Sequence, residues 1–134
     1  MSRLAVLLLL VAACGTSDDG GGGDDGGGSA VVTCTVQATA TLDPQARTVT
    51  AVGSLACDGT GTLMVETCIE TVGSGGEITE LGCHASTLSG VDELASDYAT
   101  ACGIASGREY YAQINATVNG VAQAEKLSAR VVCN

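Results

Sequence analysis

Val31-Val32-Thr33-Cys34-Thr35-Val36-Gln37-Ala38-Thr39-Ala40-Thr41-Leu42 and, after a short break, Thr48-Val49-Thr50-Ala51-Val52-Gly53-Ser54-Leu55-Ala56-Cys57 together decide the fold of this chain. In the first stretch the even positions from Val32 to Leu42 are apolar, and the odd positions from Thr33 onward are polar. In the second, Val49, Ala51, Gly53, Leu55 and Cys57 fall on one side. Alternation with a period of two places these residues on one face of an extended strand. Asp43-Pro44-Gln45-Ala46 between them reads as a turn. Setting Leu42 opposite Val49 as an antiparallel hairpin brings Val36 opposite Leu55, Ala38 opposite Gly53 and Cys34 opposite Cys57. The register that aligns the two apolar faces also aligns two thiols. Directly opposed residues on one face lie close enough to be bridged, so Cys34–Cys57 is the first disulfide expected.

Working outward, Thr60 to Val72 reads as a third strand with Leu63, Val65 and Ile69 on one face. Gly73-Ser74-Gly75-Gly76 is a turn, and Glu77 to Leu88 returns as a weaker fourth strand at an edge. Cys68 and Cys83 flank that turn nearly symmetrically, which pairs them, with Cys68 on the Glu66/Glu70 face. Ser89 as an N-cap, Asp92 and Glu93 in a first turn, and Val91, Leu94, Tyr98 and Ala101 at helical spacing predict a short helix or helical turn before Gly103; another strand is the alternative. Arg108 to Val118 alternates with Tyr110, Ala112, Ile114, Ala116 and Val118 inward. Asn119-Gly120 is the favoured type I′ pair, and Val121 onward returns with Leu127, Ala129, Val131 and Cys133 on the matching face. Cys133 then arrives opposite about Ser106, near Cys102. A fold-back between Gly103 and Gly107 would close Cys102–Cys133. Six cysteines admit 15 connectivities; the sequential one closes three local loops.

The composition makes those bridges important. The chain has 134 residues, no Phe, no Trp and three Tyr. Each buried aromatic would contribute 150–250 Å² of contact area, so this core must be filled by Val, Leu, Ile, Ala and Thr. Three disulfides at roughly 2–4 kcal/mol each offset that deficit. No Cys-x-x-Cys pair occurs and His84 is the sole histidine, so zinc-ligand spacing is absent and neither a metal nor another cofactor is expected. A net charge of −10 argues against nucleic acid, which requires a cationic footprint, and against peripheral docking on anionic lipid.

The expected fold is therefore all-β: an antiparallel sandwich of six or seven strands with one short helix or helical turn, stapled by disulfides. The strand spacing, the Tyr110-Tyr111 strand, the Asn119-Gly120 hairpin and the late Cys133 resemble secreted bacterial immunoglobulin-like domains, and that resemblance implies an immunoglobulin-like arrangement.

The N-terminal part carries a different signal. Arg3 precedes the ten apolar residues Leu4 to Ala13, a run shorter than the ~20 needed for a transmembrane helix and suited to a signal-peptide h-region. It ends in Val11-Ala12-Ala13-Cys14, which resembles the lipobox of bacterial lipoproteins. The resemblance implies cleavage before Cys14 and a thioether-linked diacylglycerol on its sulfur. Acylation of the new amine commonly follows. Two or three acyl chains give stable anchoring where one gives marginal binding. Gly15 rather than Asp after the cysteine leans, by the same resemblance, towards the outer membrane. Residues 15–29 contain only Gly, Asp, Ser and Thr, so they read as a tether of about 20–23 Å mean span and about 50 Å at full stretch. The run lacks the ligand spacing of a calcium-binding EF-hand. The expected organisation is a signal peptide over 1–13, a lipidated cysteine and linker over 14–29, and a β domain over 30–134. Assigning Cys14 to lipid also makes the remaining cysteines even in number.

Chemistry is harder to find. His84 and Ser86 share a strand face, but no Gly-x-Ser-x-Gly elbow or orienting acid accompanies them. Glu66 and Glu70 are four residues apart on a strand, about 13 Å, beyond the carboxyl separation of glycosidases. The glycine clusters lack the context of phosphate loops. Asn115-Ala116-Thr117 is a glycosylation sequon by letter, but it lies mid-strand in a chain with a bacterial signal. Tyr111, Gln113 and Asn115 form an outward stripe of the kind that binds sugar or peptide, and equally the kind found on any exposed strand. The sequence thus predicts a non-catalytic, membrane-anchored interaction module for a protein, peptide or glycan ligand. A hydrolase or a passive envelope component is the alternative.

Overall fold

Alternation persists further along this chain than its punctuation suggests, and two very long strands result. The computed structural model describes residues 31–134. Its strands are β1 (Cys34–Asp43), β2 (Thr48–Val72), β3 (Ile78–Ala101), β4 (Arg108–Val118), β5 (Val121–Ala122), β6 (Lys126–Leu127) and β7 (Val131–Cys133). All pairings are antiparallel within one seven-stranded sheet. The β1–β2 register sets Cys34 opposite Cys57, Val36 opposite Leu55, Ala38 opposite Gly53 and Leu42 opposite Val49, as the alternation requires.

β2 is the spine. Its first half, Thr48 to Ala56, lies between β1 and the Glu93–Ala101 half of β3. Its second half, Leu63 to Val72, lies between β4 and the first half of β3. Between the halves the β2–β3 register shifts at Ala56/Gly61 and Gly61/Thr62. Gly90 opposite this region has φ +76°, a left-handed conformation open to glycine at little cost. Bulges of this kind bend a strand. The hairpin creases there and folds over, so the apolar faces of its halves meet. Within β2, Gly53 lies against Thr67. Within β3, Gly82 lies against the Tyr98 ring, and Ser96 Oγ donates to His84 O at 2.7 Å.

The core enclosed this way holds Val49, Ala51 and Leu55 from the first half of β2, Leu63, Val65 and Ile69 from the second, and Tyr110, Ala112, Ile114, Ala116 and Val118 from β4. β1 covers one side with Val36, Ala38, Ala40 and Leu42. Tyr110 is the largest fully buried side chain, and its Oη accepts a hydrogen bond from Gly103 N–H at 2.7 Å. Three disulfides cross the sheet, Cys34–Cys57, Cys68–Cys83 and Cys102–Cys133. The Asn119-Gly120 turn has φ of 51° and 82°, as a type I′ turn demands.

Two expectations are corrected. Ser89 to Ala101 forms no helix; it is the second half of β3. Leu94, Ser96, Tyr98 and Thr100 face the core side opposite Leu55, Gly53, Ala51 and Val49, a period of two that the coincident spacing of Val91, Leu94, Tyr98 and Ala101 conceals. The final strand is also not one continuous return. It is split into β5, β6 and β7, each pairing briefly with β4, and Leu127 is exposed while Cys133 is buried.

Candidate functional site

The densest polar constellation lies on the outer face of β2 and β4. Register places Glu66 opposite Asn115, Cys68 opposite Gln113 and Glu70 opposite Tyr111. On the other flank of β2, Cys68 faces Cys83 and Glu70 faces Glu80. Strand parity puts these side chains outward because Val65, Thr67 and Ile69 point in.

The groups on this face satisfy one another. Tyr111 Oη donates to Glu70 Oε2. Gln113 Nε2 donates to Glu125 Oε2 at 2.5 Å, and Asn115 Nδ2 to Glu66 Oε1 at 3.4 Å. The Arg130 guanidinium lies 5.7 Å from the Tyr111 ring centroid and pairs with Glu109 at 2.7 Å. Tyr111 is consequently only 5% exposed. Burial pushes its phenol up to about 12, and the hydrogen bond to Glu70 and that carboxylate's charge push the same way. The outward stripe of Tyr111, Gln113 and Asn115 exists as strand parity predicts, and it is tied together by hydrogen bonds. The Tyr111 ring is buried, and each amide nitrogen donates to a carboxylate.

Glu66, Cys68 and Cys83 bring a carboxylate oxygen and two sulfurs within 4.8 Å of one another. The sulfurs are bonded to each other, so neither is a thiolate able to ligate a metal.

His84 of β3 is registered opposite Thr67 of β2, with its own side chain exposed. Its Nδ1 is 3.4 Å from Ser96 Oγ, not paired with Ser86 as the strand spacing suggests. That hydroxyl gives its proton to the His84 carbonyl, and the Ser96 carbonyl accepts from Thr67 Oγ1 at 3.0 Å. The crease, invisible in local sequence, brings these three residues together. The Ser96 hydroxyl thus bridges the two halves of β3.

A second surface opens on the outer face of β1, the first half of β2 and the second half of β3. Here small residues replace the crowded layer just described. A shallow trough of about 420 Å³ runs across Thr35, Gln37, Ser54, Ala56, Glu93 and Ala95. Glu93 is its one charged side chain. No sequence signal singled it out, because only the three-strand register Thr35–Ala56–Glu93 and Gln37–Ser54–Ala95 assembles it.

No protein-family profile matches the chain, and no curated protein does. Among solved structures, the chain is similar to CsgH of R. palustris, with 15% identity, 76% of this chain and 92% of that one covered, and a TM-score of 0.42. It is also similar to the ApaA protein of Bordetella pertussis, with 11% identity over 77% of this chain and 92% of that one, and a TM-score of 0.40.

Proposed function

We propose that this chain is an exported bacterial lipoprotein, held by acyl chains on Cys14, that presents its β domain on a Gly/Asp tether as a non-catalytic binding module of the cell envelope. One observation carries the reading. Six of the seven cysteines are consumed in three disulfides within the described domain, which leaves Cys14 as the odd one, directly after the apolar run. Disulfides of this density belong to oxidising compartments, hence to an exported chain. Cys14 and the residues before Val31 lie outside the described residues, so the anchor rests on their sequence. The folded-over sheet with a single core supports the finer reading of an immunoglobulin-like sandwich. The commitment of the Ser96 hydroxyl to a carbonyl supports a scaffold over a hydrolase.

The test is fractionation of cells expressing the full chain and its Cys14→Ser variant. The wild type partitions with membranes, outer membrane foremost, and carries the mass of its acyl chains. The variant is released or keeps its signal peptide. A Cys14→Ser protein that stays with membranes after processing overturns the anchor.

A further inference from the structure

We infer that the unpaired edge of β3 over Glu93–Ala101 is a docking edge for an extended, basic segment of a partner protein, which adds to the sheet as a further antiparallel strand. The inference deepens the binding-module reading and rests on it.

The edge itself is the first argument. Among the described residues β3 pairs with β2 alone. Along Glu93–Ala101 it pairs with Thr48–Ala56 without a bulge, so alternate residues hold their N–H and C=O groups outward in an even row. Such a row is a template for another strand. Natural sheets commonly blunt a long edge with Lys, Pro or a bulge; this run has none of the three.

Charge selects the occupant. On the outer face of this run the order is Glu93, Ala95, Asp97, Ala99, Ala101, because Leu94, Ser96, Tyr98 and Thr100 face the other way. Two carboxylates stand four residues apart, with Ala95 between them and Ala99 and Ala101 beyond, small side chains that would not obstruct long ones from a neighbour. The strand as a whole carries Glu80, Asp92, Glu93 and Asp97 and no Lys or Arg. An incoming strand would set cross-strand partners directly opposite Glu93 and Asp97. Basic residues at two positions four apart would find a carboxylate each, and like charges there would be repelled. The trough beside Glu93, floored by Ser54, Ala56 and Ala95, leaves room for the long stem of one of those side chains.

The same acids argue against a second copy of this chain. A symmetric antiparallel pair using the whole run centres on Asp97 and sets it against Asp97 of the other copy. Acids on the edge therefore oppose self-pairing while leaving the backbone row available to a cationic partner.

The experiment uses the oxidised protein and the peptide TVKVTVKVT, whose lysines fall four apart on one strand face. TVEVTVEVT is the control. Amide exchange and chemical shifts are followed by NMR during titration. Binding of the lysine peptide should slow exchange of alternate amides within 93–101. It should weaken with salt, and weaken about two- to fivefold in each of Glu93→Gln and Asp97→Asn. The glutamate peptide should bind far less. Equal binding of the two peptides, no binding at all, or protection confined to another surface each overturns the edge assignment. So does protection of 93–101 that appears without peptide and grows with protein concentration, because it assigns the edge to a second copy. Protection at a different surface would leave the binding-module reading standing, and that reading keeps its own test in fractionation.

Discussion

Gly53 of β2 lies directly beneath the Ile114 side chain of β4: a Cβ on that glycine would come within 2.5 Å of Ile114 Cδ1 and 2.6 Å of Thr67 Oγ1. Both neighbours are fully buried and cannot swing into solvent. Gly53→Ala should therefore overpack the core at a cost of about 1–3 kcal/mol. In a domain of this size each kcal/mol lowers the thermal midpoint by roughly 4–8 °C. Ile114→Val, which removes Cδ1, should recover part of the loss in the double variant. An unchanged midpoint in Gly53→Ala would mean the layers are further apart than described.

Tyr111 gives a pH prediction. Its phenol, held near 12 by burial and by Glu70, titrates at about 10 in an unfolded chain. Stability from the protonated phenol is then fully present below pH 10 and declines as pH rises from 10 through about 12. Spectrophotometric titration should show a tyrosinate transition near 12 that is missing in Tyr111→Phe. Glu70→Gln, which removes a charge that favours the protonated phenol, should lower that transition.

The disulfides can be ranked. They join residues 23, 15 and 31 apart in sequence for Cys34–Cys57, Cys68–Cys83 and Cys102–Cys133. Removing any pair by double Ala substitution should cost about 2–4 kcal/mol in denaturant unfolding. On loop entropy alone, the longest loop should exceed the shortest by about 0.6 kcal/mol. Intact mass should rise by about 6 Da on reduction of the purified domain, two hydrogens for each of the three bridges. A domain that gains no mass contradicts the disulfide framework.

Ser96 and His84 should differ in what their removal costs. Ser96→Ala removes a hydrogen bond between layers from a residue that is 3% exposed, and should cost about 0.5–1.5 kcal/mol. His84→Ala keeps the backbone carbonyl that accepts this bond, and its side chain is exposed, so stability should change by less than about 0.5 kcal/mol. A larger loss in His84→Ala would give the ring a structural role that its 3.4 Å contact with Ser96 does not suggest.

Local patterns made much of this fold legible. The β1–β2 register follows from alternation because one face is buried, and a slip of one residue would expose Val36 and Leu55 together. Asn119-Gly120 marks its hairpin because both residues need positive φ. The crease was not legible. The breaks expected between Cys57 and Thr60 and between Leu88 and Ser89 both fall inside continuous strands, β2 and β3. Hence β2 and β3 looked like four shorter pieces, and the second half of β3 looked helical. The sites followed the same division. Glu66 with Glu70, and Tyr111 with Gln113 and Asn115, share a face by parity, so each stripe was readable; that β2 pairs with β4 and merges the two stripes was not. That Arg130 caps Tyr111, and that Ser96 rather than Ser86 meets His84, depends on contacts across 19 and 12 residues of chain.

A ribbon creased at its middle also has an order of assembly. Zipping from the Gly73–Gly76 turn brings Cys68 and Cys83 together while the ribbon is still flat, because they sit a few rungs from its start. Cys102 is brought to Cys133 by the docking of β4 on the Leu63–Val72 half of β2 and the pairing of β7 with β4. Oxidative refolding, quenched by thiol alkylation and read by mass, should find the Cys68–Cys83 bridge in the earliest species and Cys102–Cys133 in the last. Early capture of Cys68–Cys83 would mark the Gly73–Gly76 turn as the starting point of the chain's assembly.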